Sequence, residues 1–163
     1  MKGQDLKNFI PLGKSFASLA KQYLGVITEK LEHTGINRFF YPLLVIHYEN
    51  DNITQQRLSD ILKTDKVTTV RIIDYLSKKG LVKRQVNKDD RREHLLILTS
   101  KAEKIIPDLI ISYIEIEKEA LKGLSRKRVE DFHDCLFIVQ NNLSKLPSQK
   151  INIKFNSTKK LIK

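Results

Sequence analysis

The stretch from Asp65 to Thr99, DKVTTVRIIDYLSKKGLVKRQVNKDDRREHLLILT, changes its hydrophobic period once, at Gly80. Before the glycine, Thr69, Ile72, Ile73 and Leu76 recur at the spacing of one helix face, and Lys66, Val67, Val70, Arg71 and Asp74 fall on the other. After it, the runs 81–86 and 94–98 are rich in β-branched and aliphatic residues and flank a charged tip, 87–92, which is the pattern of a β-hairpin. Just upstream, Thr54 is a good N-cap for a short helix over 55–62, and Lys63 and Thr64 turn the chain. Two short helices across a tight turn, followed at once by a hairpin, predict a helix-turn-helix with a wing. The fold class expected is mainly α with a small β-hairpin wing.

The flanking sequence completes that organisation. From about Leu12 to His33, Phe16, Leu19, Tyr23, Leu24, Ile27 and Leu31 recur at helical spacing, and Gly35 is expected to stop the helix. A second helix, from about Asn37 to Glu49, is apolar on nearly every side and reads as buried. Pro42 falls near its first turn, where a missing N–H costs least. Ile53 is expected to add a short strand. Beyond the hairpin, Thr99 caps a long helix reaching about Lys122, with Pro107 inside it. Ser125 opens a last helix on which Val129, Phe132, Leu136, Val139 and Leu143 form a narrow stripe suited to helix packing. The expected division is an N-terminal helix in 1–34, a winged helix-turn-helix lobe in 35–99 and C-terminal helices in 100–147. A basic tail, 148–163, reads as an edge strand, a partner-binding arm or a disordered end.

Composition narrows the partner. With 163 residues, 40% of them hydrophobic, the chain can fill a core, and its formal charge of +11 favours a polyanion such as nucleic acid. Charge alone would equally suit an anionic membrane surface, but no run is long and apolar enough to span a bilayer. The N-terminus lacks the apolar core of a signal peptide, so the chain is expected to be cytoplasmic. The single cysteine, Cys135, excludes an internal disulfide framework and lies beside an apolar stripe, where cysteine acts as a small hydrophobe.

Catalytic and cofactor motifs are not evident. PLGKS at Pro11–Ser15 matches the end of a phosphate-binding loop, yet the required glycine is Asn8 and no strand precedes it. His33, His47, His94 and His133 show no metal-ligand spacing, and no nucleophile, base and acid arrangement stands out. Neither an enzyme activity nor a cofactor is expected.

The helix and hairpin do carry chemistry suited to double-stranded DNA. Lys66, Val67, Thr68, Val70 and Arg71 lie at the start of the second helix. Arginine can hold a guanine edge or a phosphate, threonine can bond a base or a phosphate, and valine can pack on a thymine methyl. In the hairpin, Arg84, Lys88, Arg91 and Arg92 add positive charge. Asp90 and Arg92, two apart, would share one side of an extended segment, so Asp90 is expected to orient Arg92. A helix in the major groove and a hairpin tip at phosphates or the minor groove would touch the duplex twice. The plain alternative is that both are solvated charged surfaces.

Dimerisation is expected from the residues themselves. Phe16, Leu19, Tyr23, Phe132, Leu136 and Val139 carry more apolar surface than one small lobe can cover, and a second copy would cover it. Two lobes would then face half-sites about 34 Å apart. Tyr23, Phe39, Tyr41, His47 and Tyr113 either line a ligand cavity or form plain core.

In its motifs the chain resembles the MarR family of winged-helix transcriptional regulators, from about Phe16 to Leu143. The likeness is strongest in LSDILKTDKVTTVRIIDYLSKKGLVKR and DRREHLLILTSKAEK. Leu76, Lys79, Gly80, Leu81 and Val82 match the family's close of the recognition helix; Asp90, Arg91, Arg92, Leu98 and Thr99 match its wing. The resemblance implies a homodimer joined through the first and last helices, reading a palindromic operator. It implies that Arg92 reaches the minor groove and that the positions of Lys66, Val67, Thr68, Val70 and Arg71 lie at the major groove. It also implies a repressor released by a small aromatic or lipophilic ligand bound between the dimerisation helices and the DNA-binding lobe. Val67 and Val70 replace the small polar residues common in the family, which shifts base preference toward apolar contacts. Ala102 stands where a glycine is common, and no cysteine lies in the first helix, so the peroxide-sensing mechanism of one branch is not expected. Two other functions remain open: a winged-helix module that binds protein without specific DNA recognition, and a small ligand-binding or catalytic protein using a helical cavity.

Overall fold

A computed structural model describes residues 10–49, 53–88 and 90–147. Six α-helices and a small sheet appear among them: α1 (Leu12–Lys30), α2 (Phe40–Tyr48), β1 (Ile53–Thr54), α3 (Gln55–Leu62), α4 (Lys66–Lys78), β2 (Val82–Val86), β3 (His94–Leu98), α5 (Ser100–Ala120) and α6 (Arg126–Ser144). The mainly helical, winged architecture agrees with the sequence expectation. The tail from residue 148 lies outside the described residues. No helix among the described residues is long and apolar enough to cross a membrane.

Three boundaries differ from the sequence reading by two residues or more, each for a local reason. α1 ends at Lys30, and a single 3₁₀ turn, Glu32–Thr34, takes up the residues expected to continue it. Gly35 then closes that turn at φ 71°, a conformation that costs glycine little. α2 begins at Phe40 rather than Asn37, because Phe39 sits in the left-handed region at φ 63° and breaks the helical path. α5 stops at Ala120, short of Lys122, before a turn through Gly123.

The sheet has strand order β1-β3-β2, and both pairings are antiparallel. Ile53 pairs with Leu96, and Val82 with Leu98. Beneath the sheet and helices, Leu43, Ile46, Ile53, Leu58, Ile73, Leu76, Leu81 and Leu96 are fully buried or nearly so. The α4–β2 junction is a glycine-closed helix end. Gly80 has φ 70°, and the Leu81 amide donates to the Leu76 carbonyl at 2.9 Å. Thr99 fastens the far strand to this junction. Its amide donates to the Leu81 carbonyl (3.0 Å), its hydroxyl donates to the Gly80 carbonyl (2.7 Å), and it accepts from the Ala102 amide at the start of α5 (3.3 Å).

The chain divides into two compact units at Tyr113/Ile114, a point inside α5. The first holds the helix-turn-helix and the sheet. The second holds the end of α5, where Ile116 is buried, and α6, which has no buried side chain.

Buried Thr69 ties α4 to the turn before it through hydrogen bonds to Thr64 and Asp65. Thr69→Val keeps the shape but strands those partners. It should lower unfolding free energy by about 1–3 kcal/mol, read as a reduced midpoint in urea denaturation at unchanged slope.

Candidate nucleic-acid interface

The turn between α3 and α4 is held by polar side chains rather than by glycine. Lys63 adopts φ 50°, a left-handed conformation unusual for a residue with a Cβ. The Ser59 hydroxyl donates to the Thr64 carbonyl (2.7 Å). The Thr64 and Thr69 hydroxyls bond each other (2.9 Å), and the Thr69 hydroxyl donates to the Asp65 carbonyl (3.0 Å). Asp65 is the N-cap of α4: one carboxylate oxygen accepts from the Thr68 amide (2.8 Å), the other from the Thr68 hydroxyl (3.0 Å). The Thr68 proton is therefore engaged inside the cap, which turns its hydroxyl toward accepting rather than donating at a base edge.

With the first turn fixed, α4 buries Thr69, Ile72, Ile73 and Leu76, the face read from the sequence. Lys66, Val67 and Arg71 are exposed, while Thr68 and Val70 are half-buried. Val67 stands out: an aliphatic side chain 60% exposed between cations. A lone exposed valine is ordinary, but here it lies on the one outward face of a helix beside an arginine and a lysine.

The wing tip is a closed turn. The Asn87 amide donates to the Glu93 carbonyl (3.0 Å), and the Glu93 amide to the Asp90 carbonyl (3.0 Å). Asp90 and Arg92 do meet, through this turn and not through the extended segment expected. Asp90 Oδ1 accepts from the Arg92 amide (2.9 Å) and Nε (3.1 Å), and Oδ2 accepts from Nη2 (3.1 Å). These bonds, side-chain first, hold the Asp90 carboxyl below the usual carboxylate range and raise the Arg92 guanidinium above its ordinary value. Arg92 remains 91% exposed, with its outer N–H groups facing solvent. Lys88 and Arg91 are exposed beside it.

Arg84 differs from the other wing cations. It lies in β2, and its Nη2 donates to Asp74 of α4 at 2.7 Å. The pair joins helix to wing and cancels the one carboxylate on the outward face of α4. Asp74 was missed because the two residues meet only once the chain has turned at Gly80, a contact no local period announces.

The five aromatic and histidine residues read as a possible ligand pocket do not converge. Tyr23 and Tyr113 lie with ring centroids 6.3 Å apart, and Tyr41 is close enough to act on Tyr113 electrostatically. Phe39 packs edge-on against Tyr75 at 5.3 Å. It leaves the α2 face because its left-handed backbone precedes that helix. His47 stands beside Tyr48 and lines an apolar groove of about 410 Å³ with Glu103, Ile106, Pro107, Ile110 and Ile111.

Of the residues read as a dimer surface, Leu19 is 58% exposed, Phe132 is exposed, and Phe16, Tyr23, Leu136 and Val139 are half-buried. α6 also exposes Phe137 and Ile138, at 69% and 56%. The run 136–139 is apolar without interruption, a signal that one narrow stripe does not account for. Cys135 is a free, exposed thiol.

The family model described as MarR family matches residues 40–94, from the first residue of α2 to the first of β3. A MarR transcriptional regulator from Methanosarcina mazei Go1 is 33% identical, with a TM-score of 0.70 over 83% of this chain and 98% of that one. A protein from Listeria monocytogenes assigned to the MarR family transcriptional regulators, solved in complex with a 26mer DNA, is 26% identical, with a TM-score of 0.72 over 83% of this chain and 91% of that one. The S. aureus MepR–DNA complex is similar in fold, at 21% identity and a TM-score of 0.76 over 83% of this chain and 99% of that one.

Burial, with a smaller contribution from Tyr41, pushes the Tyr113 phenol up to about 12 from an ordinary 10.0. The folded chain thus holds this proton longer than the unfolded chain. Stability should be indifferent to Tyr113 below the unfolded value and fall as pH rises from about 10 toward 12. Comparing alkaline denaturation of the wild type with Tyr113→Phe checks this: the variant should lose less stability across that window.

Proposed function

This chain belongs to the MarR family of transcriptional regulators, which are regulators and not enzymes, and on that premise we propose that it reads a palindromic DNA operator as a homodimer. The observation that carries the reading is the pairing of two cationic elements on one rigid frame. The outward face of α4 offers Lys66, Val67 and Arg71, and the wing tip offers Arg91 and an Arg92 that stays 91% exposed while bonded to Asp90. The Asp74–Arg84 bond ties the two elements together. α4 enters the major groove, where Arg71 holds a guanine or a phosphate and Val67 packs on a thymine methyl. Thr68 and Val70 line the edge of that contact. Arg92 enters the minor groove, with Lys88 and Arg91 on the flanking phosphates.

The complex of the Listeria relative with a 26mer DNA supports DNA as the partner. Homodimerisation is supported by the apolar side chains left uncovered on α1 and α6: Leu19, Phe132, Phe137 and Ile138. In this reading 35–99 is the DNA-binding lobe and the helices on either side join the two copies. The dimer represses by occupying its operator, and a small aromatic or lipophilic ligand releases it. The apolar groove beside His47 is the place this reading assigns to the ligand.

Selection from random duplexes at roughly 0.15 M salt, where non-specific binding is weak, tests the reading. The expected product is a palindrome with half-sites one helical turn apart. Arg92→Ala should weaken binding to it by about tenfold or more. Failure to enrich any sequence would instead favour a protein-interaction module.

A further inference from the structure

Just ahead of α2, a cation is held in place by two aromatic rings. The Arg38 guanidinium carbon lies 4.5 Å from the ring centre of Tyr75 and 5.1 Å from that of Phe39. The two rings meet edge to face, 5.3 Å apart at 76°. Tyr75 is fixed from the other side: its hydroxyl donates to Asn37 Oδ1 (2.9 Å) and accepts from the Asn37 amide (3.4 Å). Phe39 reaches its place through a left-handed backbone, φ 63° and ψ 31°, which an aromatic residue rarely adopts. Strain of this kind persists where the surroundings over-determine it and marks a place to look for function.

Arg38 is exposed, and no carboxylate pairs with it among the described residues. The stack orders the side chain and leaves its charge available. Lys79 adds a second cation, its ammonium 5.9 Å from the Tyr75 ring while donating to the Gly35 carbonyl. Tyr75 follows Arg71 by one helical turn and is half-buried beside buried Ile72 and Leu76, which puts it at the border of the exposed face of α4; Arg38, packed on it, sits at the flank of that face and not at its centre. An α-helix with side chains is about 10–12 Å across and the major groove about 12 Å wide. A group on the flank of an inserted helix therefore meets the groove wall, which is sugar-phosphate backbone.

We infer that Arg38 is an additional DNA contact, a preorganised guanidinium that grips a backbone phosphate beside the recognition helix. The inference rests on the proposed insertion of α4 into the major groove. Arginine suits the role because its planar group stacks on aromatic faces while its edge still presents paired N–H donors to phosphate oxygens. A phosphate contact positions the protein without reading sequence.

Anisotropy titrations of the full chain on its selected duplex, between about 0.05 and 0.3 M salt, test this with the wild type, Arg38→Gln and Arg38→Lys. Removing one phosphate contact per subunit should flatten the plot of log K against log salt by about 0.9 per subunit. Affinity should fall several-fold on the selected duplex and on an unrelated one alike, with base preference unchanged. Arg38→Lys should keep the slope. An unchanged slope in Arg38→Gln would overturn the inference, whether affinity is intact or the variant only melts earlier. Loss confined to the selected sequence would overturn it too, by making Arg38 a base reader. If the wild type shows no salt-dependent duplex binding at all, the parent reading fails, and that outcome is distinct from a variant that behaves like the wild type.

Discussion

Everything at the candidate interface depends on the hydrogen-bonded turn between α3 and α4. Ser59, Thr64, Asp65 and Thr69 satisfy one another's polar groups where the chain reverses, and Thr69 does so fully buried. In a low-dielectric setting such a network is strong when complete and costly when broken. It fixes the angle at which α4 leaves the turn, and so decides which residues of α4 point outward. Glycine would make this turn easily; Lys63 makes it with a left-handed backbone that the network holds in place. The Asp65 cap also places a carboxylate at the positive end of the α4 dipole, which stabilises the first helical turn.

Charge is arranged on this frame by pairing, not by accumulation. Asp74 would repel DNA from the outward face of α4, and Arg84 neutralises it. Asp90 takes the inner edge of Arg92 and fixes the direction of a long side chain that would otherwise be dispersed over many rotamers. Exposed ion pairs of this kind add little to folding stability. Their consequence is geometric: they set where the remaining N–H groups point. The net charge of +11 then acts at longer range, drawing the chain to a polyanion.

Much of this was legible in the sequence because it is local. Thr54 and Ser125 begin helices as their capping chemistry requires, Gly80 ends α4, and the buried face of α4 follows from its period. The motifs around Gly80 and Arg92 carried the family. What escaped was non-local or conformationally rare. No propensity marks Phe39 as left-handed, yet that one residue delays α2, and Phe39 packs against Tyr75 of α4. The Asp74–Arg84 bond and the stack of Arg38 on Tyr75 join residues far apart along the chain. Arg84, read as a wing contact, also bonds Asp74 of α4, a contact that escaped for the same reason. On α6, a stripe drawn at three- and four-residue spacing passed over Phe137 and Ile138, whose exposure enlarges the apolar surface of that helix.

The central claim is that two copies present α4 and the wing to one duplex with two-fold symmetry. Hydroxyl-radical footprinting of the full chain on its selected duplex tests it most directly. The account predicts two protected segments related by a dyad, centred about 34 Å apart, each flanked by a minor-groove protection that Arg92→Ala removes. A single unsymmetric footprint, or uniform protection along the duplex that is unaltered by Arg92→Ala, would contradict it.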